Sequence, residues 1–172
     1  MISLAQLNTA GRDAFVGELG DIFEHGAWIA EAAHAARPFA SVAALHEAMM
    51  QMLRRAPRPE QIAFLRGHPE LGGKVARAGA MTAASIAEQG GLGLDRLSDE
   101  DFTRFERANT AYREKFGFPF IVCVRRHTSA ESILASFEQR VGNDTEAELA
   151  AALTEIGHIT RLRLDAKIAS PG

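Results

Sequence analysis

The stretch SDEDFTRFERANTAYREKFGFPFIVCV (Ser98–Val124) decides the fold. Its first part reads as one long helix. Ser98 and Asp101 open it, acids fill its first turn, and Arg113 and Lys115 lie in its last, each sign at the end where the helix dipole favours it. From Phe116 to Val124 the run is apolar on every side and punctuated by Gly117 and Pro119, so it must be buried. Such a run suits a buried strand, but the sequence offers no partner strand. It is therefore expected to be an extended core segment whose backbone N–H and C=O groups need other partners, a bound ligand among them.

Downstream, Arg125, Arg126 and His127 end the apolar run. Thr128 and Glu131 have the spacing of a capping box for a helix that holds Ile133, Leu134 and Phe137. A last helix is expected from near Asn143–Thr145 to about Ile168. Its apolar stripe is Leu149, Leu153, Ile156, Thr160 and Leu164, and Arg163, seven residues after Ile156, falls within it. Arg161 lies about 160° from Arg163 around the helix, so only one of the two points fully inward. A buried guanidinium must find an anion, either an internal carboxylate or an anionic substrate.

Upstream, alanine-rich amphipathic segments dominate. Asn8 or Thr9 is placed to cap a helix carrying Phe15, Val16 and Leu19, which Gly20 ends. A second helix is expected from about His25 to Arg37, presenting Trp28, Ile29 and Ala32 before Pro38. Ser41 caps a third with Val42, Leu45, Met49, Met52 and Leu53 at core spacing, the methionines serving as packing. Pro59 sits in the first turn of a short helix that delivers the chain to His68. Together these features predict an all-α, bundle-like fold of about seven to nine helices, with a buried extended Phe-rich segment, in a single domain over 1–172.

Composition narrows the partners. The net charge of −3 is spread without long runs of one sign, which argues against nucleic acid and anionic membranes. Cys123 is the one cysteine, so no internal disulfide forms, which fits a reducing compartment; its apolar setting suggests inert packing. The first residues lack a basic start and an apolar core, no apolar run approaches the roughly 18 residues that span a bilayer, and Ser170, Pro171 and Gly172 are not a peroxisomal address. A cytoplasmic protein is expected. His25, His34, His46, His127 and His158 show no metal-ligand spacing, so no metal is expected.

The rarer chemical types gather between Gly67 and Gly91, GHPELGGKVARAGAMTAASIAEQGG. Pro69 disfavours helical backbone at His68. Ser85, Glu88 and Gln89, at i, i+3 and i+4, share one helix face, and Gly90 and Gly91 stop that helix. The loop histidine and the polar face are expected to meet across one pocket. Taken alone, His68 reads as a surface turn, Glu88 and Gln89 as a solvated helix end, Arg163 as half of a buried structural pair and FGFPF as plain core.

GHPELGGK, the SxxEQ of Ser85 to Gln89, KFGFPFIVCV and the closing ITRLRL, in this order and spacing, resemble the 2-oxo-4-hydroxy-4-carboxy-5-ureidoimidazoline (OHCU) decarboxylase family over about Leu4 to Ile168. The resemblance implies an all-helical, homodimeric, cofactor-independent decarboxylase of a small-molecule substrate. It would yield (S)-allantoin in urate degradation, after urate oxidase and 5-hydroxyisourate hydrolase. It assigns catalysis to His68, Glu88 and Arg163, and substrate binding to Pro69, Ser85, Gln89, Phe118, Phe120 and Ile121. The alternatives are a catalytically silent ligand-binding protein of the same fold and a metal-dependent helical hydrolase, the latter disfavoured by the missing ligand spacing.

Overall fold

A computed structural model describes residues 1–72 and 82–169 of the chain. The middle of the Gly67–Gly91 stretch and the terminal Ser170, Pro171 and Gly172 lie outside the described residues. Nine α-helices are present among them, with no strand beyond an isolated bridge between Ile2 and Ile168. The chain forms two compact units. One combines Met1–Phe64 with the chain from Ile156 onward; the other is Leu65–Glu155.

The first unit starts with α1 (Leu4–Thr9), closed by a capping box in which Ser3 and Gln6 each accept the other's backbone N–H. This helix is absent from the sequence reading, which uses Asn8 and Thr9 as caps. Gly11 instead precedes α2 (Arg12–Leu19), and Asn8 bridges to Phe39, accepting its N–H at 2.8 Å and donating to its carbonyl at 2.9 Å. α3 (Ala27–Ala33) passes into a 3₁₀ turn, His34–Ala36, before Pro38. Trp28, expected in the core, is 37% exposed, and Ile29, Ala30 and Ala33 carry the buried face instead. Ser41 caps α4 (Val42–Arg55), whose Leu45, Met49, Met50 and Leu53 are buried. α5 (Arg58–Arg66) leads out of this unit.

In the second unit, Thr82 caps α6 (Ala83–Gly90) by accepting from Ser85 N–H. Then α7 (Asp99–Phe116) has the expected anatomy, with a Ser98 cap, Asp99, Glu100 and Asp101 in the first turn, and Arg113 and Lys115 in the last. Gly117 ends it at φ 76, a left-handed conformation that glycine adopts without steric cost. The chain then runs extended to Cys123 and makes a 3₁₀ turn, Val124–Arg126. Phe118, Phe120, Ile121, Val122 and Cys123 are all buried.

Ser129, not Thr128, caps α8 (Ala130–Val141), and its capping-box partner is Ser132 rather than Glu131. The side chain of Glu131 instead receives Arg104 of α7 at 2.9 Å. α8 packs on α7, with Phe137 edge-on to Phe105 and Tyr112 and stacked on Phe120 at 3.7 Å between centroids. α9 (Thr145–Lys167) closes the chain, its first half in this unit and its second half in the first. Leu149, Leu153, Ile156, Thr160 and Leu164 are buried as the periodicity demands.

Candidate active site

The second unit gathers the loop histidine, the polar helix face and the Phe-rich segment by separate tethers. His68 lies just past the end of α5, in a bend, with its backbone N–H bonded to Leu65 O at 3.1 Å. It is half-buried, and its Nδ1 is shielded from solvent. Pro69 and Glu70 are likewise half-buried, and Leu71 and Gly72 are buried.

Three side chains hold the backbone of this turn. Gln89, 3% exposed, uses both ends of its amide: Oε1 accepts from Gly72 N–H at 3.0 Å and Nε2 donates to Glu70 O at 3.4 Å. Asn109 donates to Leu71 O at 2.9 Å. The Glu70 carboxylate pairs with Arg113. A buried amide is stable only when its polar atoms are matched, so Gln89 binds the histidine turn to α6 as firmly as it packs. Gly72 has φ 60, and a Cβ there would meet Leu97 Cδ1 at 2.7 Å and the Phe105 ring at 3.2 Å. No larger residue fits without displacement.

On α6, Ser85 and Gln89 are buried and Glu88 is half-buried, one face as the spacing predicts. That helix packs against the 3₁₀ turn at Val124–Arg126. The Cys123 thiol beside it is pushed up in pKa, first by burial, then by the Glu155 carboxylate, and more weakly by Glu88. Cys123 therefore stays a thiol, which suits packing rather than nucleophilic attack.

Charged side chains that the sequence reading passes over pin the Phe-rich segment. Arg66 Nε donates to Gly117 O at 2.7 Å. Arg140 Nη1 donates to Ile121 O at 2.7 Å, and Glu155 accepts from Cys123 N–H at 2.7 Å. Behind Arg140 stands Glu148, fully buried, which also receives Tyr112 OH and Asn143 Nδ2. One signal was in the sequence: Asn109 and Glu148 are polar residues at or beside core-stripe positions, where burial demands partners.

Arg163 belongs to the first unit. Its side chain is 9% exposed, against 40% for Arg161, as the helical geometry requires. It donates to Ile22 O at 3.3 Å and pairs with buried Glu24 at 3.2 Å. Of the two anions open to it from the sequence, the internal carboxylate is present. Among the described residues no His, Cys, Asp and Glu side chains cluster in a way that would hold a metal, and no helix is long and apolar enough to cross a membrane.

The chain is similar to known proteins in both sequence and fold. The chain is 40% identical, over 98% of both sequences, to 2-oxo-4-hydroxy-4-carboxy-5-ureidoimidazoline decarboxylase of Haloferax volcanii. It is 36% identical to the uric acid degradation bifunctional protein of Bacillus subtilis over 95% of this chain and 32% of that one. A crystal structure of (S)-allantoin synthase superposes with a TM-score of 0.75 at 28% identity, over 97% of this chain and 54% of the other, so this chain spans about half of that protein. The OHCU decarboxylase family model matches residues 8–165, across both compact units. The all-helical architecture and the match over nearly the whole sequence lead to one conclusion: the chain belongs to the OHCU decarboxylase family.

Proposed function

We propose that this protein decarboxylates 2-oxo-4-hydroxy-4-carboxy-5-ureidoimidazoline to (S)-allantoin and carbon dioxide in urate degradation. Membership of the family carries the activity, and the relatives' names support its place in that route. The observation that carries the site is the Gln89 tether, which joins the His68 turn to the helix bearing Ser85 and Glu88. The family match across both units supports treating residues 1–172 as one functional domain.

The chemistry asks little of the protein beyond orientation and proton transfer. The carbon–carboxylate bond breaks, and its electron pair enters the conjugated ring. The hydroxyl on the same carbon gives up its proton as that carbon becomes a carbonyl, the neighbouring ring carbon gains a proton, and the nitrogen that received the electron pair takes up one more from the medium, which neutralises the charge left by the carboxylate. Because the ring itself accepts the electron pair, no cofactor is required.

His68 moves the proton, histidine being the side chain type whose unperturbed charge change, at about pH 6.5, suits transfer near neutrality. Glu88 orients His68 and reaches the ureido N–H groups; Ser85 and Gln89 add directional hydrogen bonds, and Pro69 shapes the turn. Arg163 binds carboxylate or carbonyl oxygens. Phe118, Phe120 and Ile121 contact the ring, with backbone N–H groups near Phe120 and Ile121 facing developing negative charge. Delivery of the proton to one face fixes the (S) centre.

The protein works as a cytoplasmic homodimer, downstream of urate oxidase and 5-hydroxyisourate hydrolase. The test is to add it to substrate freshly generated from urate by those two enzymes and to follow the optical activity of the allantoin. Faster appearance of the (S) form is expected. A time course no different from the enzyme-free blank, ending in racemate, overturns the reading in favour of a silent binding protein.

A further inference from the structure

The guanidinium of Arg140 makes three kinds of contact at once. Its Nε and Nη2 both donate to Glu148 Oε1, at 2.9 and 2.5 Å, its Nη1 donates to Ile121 O at 2.7 Å, and its Cζ lies 4.5 Å from the centre of the Phe120 ring. The pair is deeply buried, with 10% of the Arg140 side chain and none of Glu148 exposed. Asn143 Nδ2 holds the other oxygen of Glu148, and the guanidinium cannot turn without breaking its own buried charge-assisted bonds to Oε1.

A planar fork held in this way dictates the direction of a peptide. The bond between Ile121 and Val122 is trans, the one cis peptide among the described residues being Arg37–Pro38. In a trans peptide the C=O and the following N–H point in opposite directions. With Ile121 O drawn to Arg140, the Val122 N–H points away from it. Among the described residues no acceptor takes the backbone N–H of Phe120, Ile121 or Val122. A buried N–H ordinarily has a partner, so this row of donors is set up for an acceptor that the described residues do not supply.

We propose that Arg140, locked on Glu148, is a positioning residue for the reaction: by holding the Ile121 carbonyl and the Phe120 ring it turns the Val122 N–H toward an oxygen of the substrate ring. This rests on the decarboxylase reading. It adds a residue that touches no substrate but sets the electrostatics of the segment that does. Tyr112 supplies the comparison, because it bonds the same Glu148 yet makes no hydrogen bond to the segment.

The test begins with the wild-type protein in the stereospecific assay, where failure defeats the decarboxylase reading itself. With wild-type activity in hand, Arg140→Lys and Arg140→Gln are expected to lower kcat at least about tenfold, with less change in KM and a lower enantiomeric excess of (S)-allantoin. Tyr112→Phe is expected to lower the unfolding midpoint and leave kcat and enantiomeric excess unchanged. Arg140 variants that match wild type in both, assayed well below their own unfolding midpoint, overturn the proposal. Should they not fold, the wild-type amide spectrum decides: titration with (S)-allantoin is expected to shift the Val122 N–H resonance, and an unmoved resonance at saturation overturns it.

Discussion

Arg163 and Glu24 form a buried ion pair in the first unit, 3.2 Å apart with side chains only 9% and 2% exposed. Removing one partner leaves the other charge in a place that solvates it poorly. Glu24→Gln is therefore expected to destabilise the fold by about 3–5 kcal/mol, the usual cost of an orphaned buried charge. Urea unfolding at neutral pH measures it, and a change within error would mean that Glu24 does not hold Arg163 in solution.

His68 offers a cleaner separation of chemistry from stability, because it sits in a turn rather than in a helix. His68→Ala is expected to cut formation of (S)-allantoin by roughly 10²- to 10⁴-fold, the usual contribution of a general acid or base, while the circular dichroism spectrum stays that of the parent. A folded variant with near-normal turnover removes His68 from the mechanism.

The turn itself is exposed to attack at Gln89 and Gly72. Gln89→Ala strips the partners from Glu70 O and Gly72 N–H, with an expected cost of about 1–3 kcal/mol and a fall in kcat. Gly72→Ala drives a methyl into Leu97 and Phe105 from a backbone conformation hostile to L side chains. Because both act on one turn, the double variant is expected to lose less stability than the two single losses combined. Denaturant midpoints of the four proteins test this, strict additivity being the contrary result.

Tyr112 predicts an alkaline limb. Burial, and then the hydrogen bond to Glu148, push its phenol well above the ordinary value. The folded state thus holds the proton more tightly than the unfolded state does. Its stabilising contribution is complete below the unfolded pKa of about 10 and is lost as pH rises beyond it, at up to about 1.4 kcal/mol per pH unit. Tyr112→Phe lacks this term, so its stability deficit relative to wild type is expected to shrink between pH 9.5 and 11. A constant difference would place the phenol in water.

Much of the architecture could be read from local chemistry. The α7 helix has its Ser98 cap, its acids and its cations where the sequence puts them, because capping and dipole effects are decided within a turn. The inward turn of Arg163 rather than Arg161 follows from helical periodicity alone. Local chemistry misleads where two candidates compete. Thr128 and Ser129 are both good caps, and Ser129 wins with Ser132 as its partner. Trp28 has the hydrophobicity of a core residue, yet its neighbours fill the interior.

Of the site, Ser85, Glu88 and Gln89 share a face by spacing, which the sequence displays directly. The amide clamp on Gly72 does not show there, since it joins residues 17 positions apart. Glu148, polar beside a core-stripe position, signals that it needs partners, but their identity stayed hidden for the same reason: only tertiary packing brings Arg140 to it.

Arg66 stands two residues before His68 and holds the carbonyl of Gly117, the first peptide of the Phe-rich segment. The histidine turn and the aromatic segment therefore share an anchor, and neither is expected to loosen alone. In native-state hydrogen exchange the hydrogen-bonded amides of His68, Gly72 and Cys123 should open as one cooperative event of a single free energy. Two distinct opening energies would show the anchor to be slack. If it is taut, thermal fluctuation presents this protein with a binary choice, a whole site or none, and partial disorder near the histidine is not among its accessible states.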